Sequence, residues 1–197
     1  MIVRNVDSDS LETVAAYLAA GKAVVFPTDT VYGIGVAAGI APSAEEIYVI
    51  KKRDKDKAIP WLVGNQEALL LYGKDVPEYA IELSKKHWPG ALTIIVKAAD
   101  TVAQAFQGPN ATIALRMPND SIALKLINKV GFPLATSSAN KQGMKPAHLL
   151  AEVHPSILQK VSAYIGDDAL RSGVSSTVVD CTGEAPKVIR QGDIVLS

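Results

Sequence analysis

Short apolar runs rich in β-branched residues alternate with helix-period segments through most of the chain, which predicts an α/β domain rather than a sandwich or a helical bundle. The apolar stretch 14–20 ends in small residues, as a signal peptide would. Asp7, Asp9 and Glu12 precede it against one basic residue, Arg4, so it reads as an amphipathic helix. Strands are predicted at 24–26, 59–63, 92–97, 112–117, 134–136, 163–165, 177–181 and 187–189. Helices are predicted at 43–52, 66–71, 78–87 and 121–130, with a short one at 148–153. Pro27 to Gly33 reads as the loop leaving the strand at 24–26, because Pro27 has no N–H for a ladder. Ser43 and Glu46 fit a capping box with Ser43 as N-cap, Pro77 suits the start of the helix at 78, and Asp120 suits the cap of the helix at 121.

Composition narrows this picture. A chain of 197 residues is long enough for one domain with a substantial core, and no linker or repeat divides it. It has no apolar run long enough to span a bilayer, so no membrane association is expected. One cysteine cannot form an internal disulfide, and three scattered histidines give no zinc spacing; the expectation is a cytoplasmic protein without a structural metal. Twenty Lys and Arg balance 20 Asp and Glu, which removes any whole-surface attraction for a polyanion. A basic site must therefore be local.

Such a site is visible at residues 51–57, where five cations (Lys51, Lys52, Arg53, Lys55, Lys57) meet two carboxylates. A solvated helix end explains the pattern, as does a polyphosphate, to which Arg offers paired donors and Lys a compact charge. A second cluster, Thr28-Asp29-Thr30-Val31-Tyr32, lies at a strand exit, where ligands collect in open α/β sheets. The run Gly33-Ile34-Gly35-Val36-Ala37-Ala38 matches a dinucleotide fingerprint, but no helix can follow it directly, so nicotinamide binding is not expected. A third cluster, Thr136-Ser137-Ser138-Ala139-Asn140, ends a strand without the elbow of a hydrolase nucleophile and suits hydrogen bonding to a ligand. Arg116 and Arg190 each put a permanent cation at a strand end. Cys181 ends an apolar run and reads as a buried small hydrophobe.

In their order along the chain these segments resemble the YrdC/Sua5 family, the threonylcarbamoyl-adenylate synthases of tRNA modification. The resemblance is carried by Pro27-Thr28-Asp29-Thr30-Val31-Tyr32-Gly33-Ile34-Gly35, Lys51-x-Arg53-x-x-x-Lys57, Trp88-Pro89-Gly90-Ala91-Leu92-Thr93, Ala114-Leu115-Arg116-Met117-Pro118, Ser137-Ser138-Ala139-Asn140, and Ser176-Thr177-Val178-Val179-Asp180 with Ile189-Arg190-Gln191-Gly192. Two positions depart from patterns common in the family: Asp54, where many members have proline, and Leu62, where long-form members often carry histidine.

The resemblance implies one twisted mixed sheet flanked by helices, with a large concave, positively charged cleft and no C-terminal second domain. It implies a nucleotidyltransferase that joins L-threonine, bicarbonate or CO2, and ATP into threonylcarbamoyl-AMP and pyrophosphate, for N6-threonylcarbamoyladenosine in tRNA. Lys51, Arg53 and Lys57 would act on the triphosphate as the catalytic cations. Ser138, Asn140, Ser176, Arg190 and Tyr32 would complete the ATP site, and Thr28, Thr30 and Arg116 would hold threonine. Magnesium would accompany ATP as its counter-ion without protein metal ligands. The implied partners are the transfer proteins that receive the adenylate and, directly or not, tRNA. The same cleft would also suit an RNA-binding or ribosome-maturation factor for double-stranded RNA, or a catalytically silent nucleotide sensor. With 6% aromatic residues, an RNA reader would depend on shape and phosphate contacts.

Overall fold

A computed structural model describes residues 2–3, 7–54, 58–167 and 169–196. In chain order the elements are β1 (Ile2–Val3), α1 (Ser8–Ala19), β2 (Val24–Phe26), β3 (Gly33–Ala37), α2 (Glu45–Lys51), β4 (Trp61–Leu62), α3 (Ala68–Tyr72), β5 (Gly73–Lys74) and α4 (Glu78–His87). They continue with β6 (Leu92–Ala98), β7 (Thr112–Arg116), α5 (Ser121–Val130), β8 (Leu134–Ser138), α6 (Pro155–Leu158), β9 (Ala163–Ile165), β10 (Thr177–Asp180) and β11 (Lys187–Arg190). The strands form one mixed sheet in the order β1-β9-β2-β3-β8-β4-β7-β6-β10-β11, with β5 paired to β6. Parallel pairs are β1/β9, β2/β9, β4/β7 and β6/β10, and the others are antiparallel.

The period of two along each strand sorts side chains between the faces. On one face Ala23, Val25, Trp61, Val63, Leu92, Ile94, Val96, Ile113, Leu115 and Val179 pack with Ala44, Ile47 and Ile50 of the α2 region, Leu69 of α3 and Ala80 of α4. On the other face Val24, Phe26, Leu62, Leu134 and Ile165 meet Val14 and Leu18 of α1 and Ile122, Leu126 and Ile127 of α5. That second core lies under the β9-β2-β3-β8-β4 side of the sheet. The β7-β6-β10 side of the same face carries Thr93, Ile95, Ala114, Arg116 and Val178, and these border a cavity.

Several elements differ from the sequence reading for local reasons. The stretch after Phe26 is a turn only to Tyr32; from Gly33 the chain is a fully buried strand, antiparallel to β2 and β8. Strands are normally poor in glycine, but a Cβ on Gly33 would lie 2.7 Å from Thr136 Cγ2, and one on Gly35 would lie 2.8 Å from Thr136 Oγ1 and 2.9 Å from Phe26 Cε1. The predicted capping box does not form: Ala44 is the N-cap of α2, and Glu46 Oε2 instead accepts the Ala23 N–H at 2.9 Å. The first helix begins at Ser8, with Asp7 Oδ1 accepting from the Ser10 N–H at 2.8 Å. Residues 148–153 hold one 3-10 turn, Leu150–Glu152, and the helix proper is α6, with Pro155 in its first turn. β4 is shorter than the predicted strand, although the Val63 N–H still donates to Arg116 O at 2.9 Å.

Candidate active site

The cavity encloses about 270 Å³ and is bordered by Thr28, Thr30, Arg53, Arg116, Ser138, Ser176 and Arg190 among the residues the sequence singles out. Thr93, Thr136, Ser137 and Ser175 also line it. Its polar lining therefore consists of three guanidinium groups and hydroxyls, with no carboxylate among the described lining residues.

Arg116 ends β7 on the cavity face, its side chain 7% exposed. Nε donates to Gly90 O at 2.9 Å, Nη1 to Thr30 Oγ1 at 2.9 Å and Nη2 to Asp29 Oδ1 at 2.5 Å. A guanidinium has five N–H donors, so one on each terminal nitrogen is left to meet a planar anion. The turn that supplies two of these partners is built by Thr28: its Oγ1 donates to Val31 O at 2.7 Å and receives the N–H groups of Thr30 and Val31, each at 3.3 Å. Local hydroxyl bonding of this kind replaces a ladder after a proline.

Arg53 is set by the end of α2. The Arg53 N–H donates to Tyr48 O at 3.0 Å and the Lys52 N–H to Val49 O at 3.4 Å, with Lys52 left-handed at φ 52°, which is a Schellman ending made without glycine. The guanidinium then reaches Ala58 O, Nη2 donating at 3.1 Å. Lys51, the last helical residue, turns the other way and is 4% exposed. Its ammonium donates to Ser137 Oγ at 2.9 Å, to Ser138 Oγ at 3.4 Å and to the Ser138 carbonyl, tying α2 to the end of β8. Burial, with the Arg53 charge adding to it, lowers the Lys51 ammonium to about 8.

Arg190 comes from β11, where a register shift between Val178 and Val179 brings Val178 opposite Arg190. Nε donates to Ser176 O at 3.1 Å, and Nη2 donates to Ser176 O at 2.8 Å and Ser176 Oγ at 3.2 Å. Ser176 Oγ also shares a hydrogen bond of 2.8 Å with Thr93 Oγ1. Burial lowers the Arg190 pKa first, then the charges of Arg116 and Arg53. Three guanidinium groups line one cavity, and although Arg116 is paired with the Asp29 carboxylate, together they favour an anion in the space they share.

Of the other described candidates, Lys51, Tyr32, Asn140 and Cys181 are not among the residues that line the cavity. Tyr32 is fully buried, and its hydroxyl donates to Asp167 O at 3.1 Å, so the ring belongs to the core and not to a nucleotide face. Asn140 Nδ2 donates to Lys141 O at 3.0 Å and Met144 O at 2.6 Å, while its buried Oδ1 has no partner among the described residues. Lys57 lies outside the described residues. Cys181 is 1% exposed, and burial followed by the Asp180 charge pushes its thiol up to about 12, the state of an inert core cysteine.

The chain matches, over residues 16–192, the model of the Sua5, YciO and YrdC family, described as telomere recombination. It belongs to that family. Threonylcarbamoyl-AMP synthase of Pyrococcus abyssi is 37% identical over 186 residues, which are 92% of this chain and 54% of that protein. The putative threonylcarbamoyl-AMP synthase of Mycobacterium tuberculosis H37Rv is 34% identical over 175 residues, 89% of this chain and 80% of its relative. The crystal structure of P. abyssi Sua5 complexed with L-threonine aligns with a TM-score of 0.91 at 33% identity, covering 98% of this chain and 57% of that one. The chain thus spans about half the length of its archaeal relative.

The sequence placed Asp29 and Ser137 in its candidate clusters without assigning either to a substrate, and it gave no role to the hydroxyls of Thr93 and Ser175. Thr93 had a signal, a hydroxyl between the core residues Leu92 and Ile94 on the opposite face of β6. Asp29 had one too, lying between the two threonines already chosen. Among the described residues no three His, Cys, Asp or Glu side chains group to hold a metal, and no helix is long and apolar enough to cross a membrane.

Proposed function

We propose that this chain is an L-threonylcarbamoyladenylate synthase, a nucleotidyltransferase acting on L-threonine, CO2 or bicarbonate, and ATP. The observation that carries the reading is the set of three guanidinium groups around one cavity lined otherwise by hydroxyls. The relatives named as threonylcarbamoyl-AMP synthases and the Sua5 structure complexed with L-threonine support the same substrates.

In the proposed reaction the threonine amine adds to CO2 and gives up a proton, forming a carbamate. A carbamate oxygen attacks the α-phosphorus, the bond to the β-phosphate oxygen breaks, and pyrophosphate leaves. No protein nucleophile is needed, so the work is positioning and charge neutralisation. The two spare donors of Arg116 grip the threonine carboxylate beside Thr28 and Thr30. Arg53 and Arg190 face the phosphates, with Ser138 and Ser176 donating from the two edges, and Lys51 adds charge through the β8 terminus. Lys57 is assigned to the triphosphate and Asn140 to the nucleotide by the family resemblance. A cavity of about 270 Å³ suits the amino acid and the reacting phosphates, leaving the nucleoside toward its open side. Magnesium fits as the ion that ATP carries, since phosphate oxygens supply ligands that these hydroxyls and arginines do not. The product is a mixed anhydride, and proteins that transfer threonylcarbamoyl to tRNA are the partners this chemistry requires.

The test is incubation with ATP, L-threonine, magnesium and 13C-bicarbonate, followed by mass spectrometry. Labelled threonylcarbamoyl-AMP with one pyrophosphate per adenylate is the expected result. Absence of any threonine-dependent product from protein that still binds ATP would overturn the assignment.

A further inference from the structure

Arg171 lies outside the cavity lining, yet its surroundings lead back to the cavity in a continuous chain of contacts. Its side chain is 8% exposed, with Nη2 2.8 Å from Asp167 Oδ1 and 3.4 Å from Asp120 Oδ2. The guanidinium carbon lies 5.9 Å from the centre of the Tyr32 ring. These partners are fixed in turn. Asp120 Oδ1 caps α5, accepting the N–H groups of Ile122 and Ala123 at 2.9 Å each. Tyr32 is held through its N–H to Ala147 O at 2.8 Å and its hydroxyl to Asp167 O at 3.1 Å. One buried cation therefore joins the start of α5, the segment after β9 and the turn before β3.

The backbone following Arg171 continues the connection. The Ser172 N–H donates to Asp29 O at 3.3 Å and the Gly173 N–H to Thr30 O at 2.9 Å. Gly173 has φ +74°, a conformation that a residue with a Cβ rarely adopts. Asp29 and Thr30 are the residues whose side chains receive Nη2 and Nη1 of Arg116. Loss of the anchor would free both amide groups, and with them the two acceptors that orient Arg116.

We propose that Arg171 is a positioning residue for the amino-acid side of the cavity, acting through Asp29 and Thr30 on Arg116 without touching substrate. The inference rests on the reading of Arg116 as the threonine carboxylate grip. Two features separate it from a role in stability alone. Its effect is confined to threonine, because Arg53 and Arg190 are held by Ala58 and Ser176 through contacts that do not involve residues 171–173. It is also graded, because Asp120 and Asp167 share the guanidinium and one can be altered without the other.

The test uses Arg171→Gln and the milder Asp167→Asn, whose side chain is one-third exposed and whose substitution leaves the charge of Arg171 opposite Asp120. Removing one partner of a buried pair can unfold a protein, so the milder variant keeps the proposal testable. L-threonine and a non-hydrolysable ATP analogue are titrated separately by calorimetry, and amide hydrogen exchange is followed at residues 172 and 173. For Arg171→Gln the expected result is threonine affinity lower by roughly ten- to a hundredfold, ATP-analogue affinity within about twofold of wild type, and faster exchange at both amides. Asp167→Asn falls between the two proteins. Parallel loss of both ligands, unchanged threonine affinity or unchanged exchange would each overturn the proposal. A wild-type protein that fails to bind threonine would overturn the substrate reading and this role together, whereas faster exchange in the variant would still establish the anchor.

Discussion

Two neighbouring regions of one sheet face differ in what covers them. Over β9, β2, β3, β8 and β4, the face is closed by α1 and α5, and Val24, Phe26, Leu62, Leu134 and Ile165 are all at most 4% exposed. Over β7, β6 and β10, the same face presents Thr93, Ile95, Ala114, Arg116 and Val178 to a cavity. The opposite face is a continuous apolar core beneath both regions, so the strands themselves are equally anchored. The site is thus made by leaving half of a face uncovered and placing hydroxyls and a guanidinium where large apolar residues would need a helix. β8 marks the boundary: Leu134 lies under α5, while Thr136 and Ser138, on the same side two and four residues later, line the cavity.

The comparison makes predictions of unequal size. Substitution on the open half should damage chemistry: Arg116→Ala and Arg53→Ala should each lower kcat/KM on the order of 10²–10³-fold, the first chiefly through threonine and the second chiefly through ATP. Small, equal effects on both substrates would break the role assignments. Substitution on the covered half should damage stability instead. Leu126→Ala, fully buried between α5 and the sheet, should lose about 3 kcal/mol in denaturant unfolding while leaving KM for both substrates nearly unchanged. A large kinetic defect there would erase the distinction between the halves.

A smaller effect is expected from Lys51, which sits at the border. Its folded-state pKa, about 8, is below the ordinary 10.5, so the folded protein holds fewer protons than the unfolded chain between those values. The burial of its charge costs about 3 kcal/mol below pH 8 and fades as pH rises toward 10.5. Stability should therefore gain from this group across that alkaline window, and Lys51→Met should remove the gain. Pyrophosphate affinity should move in the opposite sense, weakening above about pH 8 as the ammonium is lost. A pH-independent affinity from 7 to 9.5 would exclude Lys51 from phosphate binding.

The covered half was the more legible in sequence. α5 carries its own signals: Asp120 as cap, apolar residues at 122, 123, 126 and 127, and a left-handed Gly131 after its end. Its boundaries match the sequence reading. β3 was not legible, because Gly33 and Gly35 suggest a loop until the closeness of Thr136 and Phe26 is known. Glu46 likewise fitted a local cap and proved to serve the backbone of Ala23, a partner 23 residues away. In the open half, the motifs pointed to Arg53, Arg116 and Arg190, which the fold brings to one cavity, but not to what holds them. The bonds from Arg116 to Asp29 and Thr30, and from Lys51 to Ser137, cross 86 or 87 residues of sequence and follow no local period. Tyr32 shows the converse: its place in the motif suggested a ligand contact, and its hydroxyl is used inside the fold.

Under the proposed function, catalysis belongs to the uncovered half, in the cavity floored by β6, β7 and β10. Ala114 lies on that floor and is 9% exposed, so a larger side chain there would grow into the cavity and not into the core. The most direct measurement is the rate of threonine-dependent pyrophosphate release by Ala114→Leu beside its melting temperature. Release should be abolished while the melting temperature stays near that of the wild type. Release at the wild-type rate from the folded variant would contradict that placement.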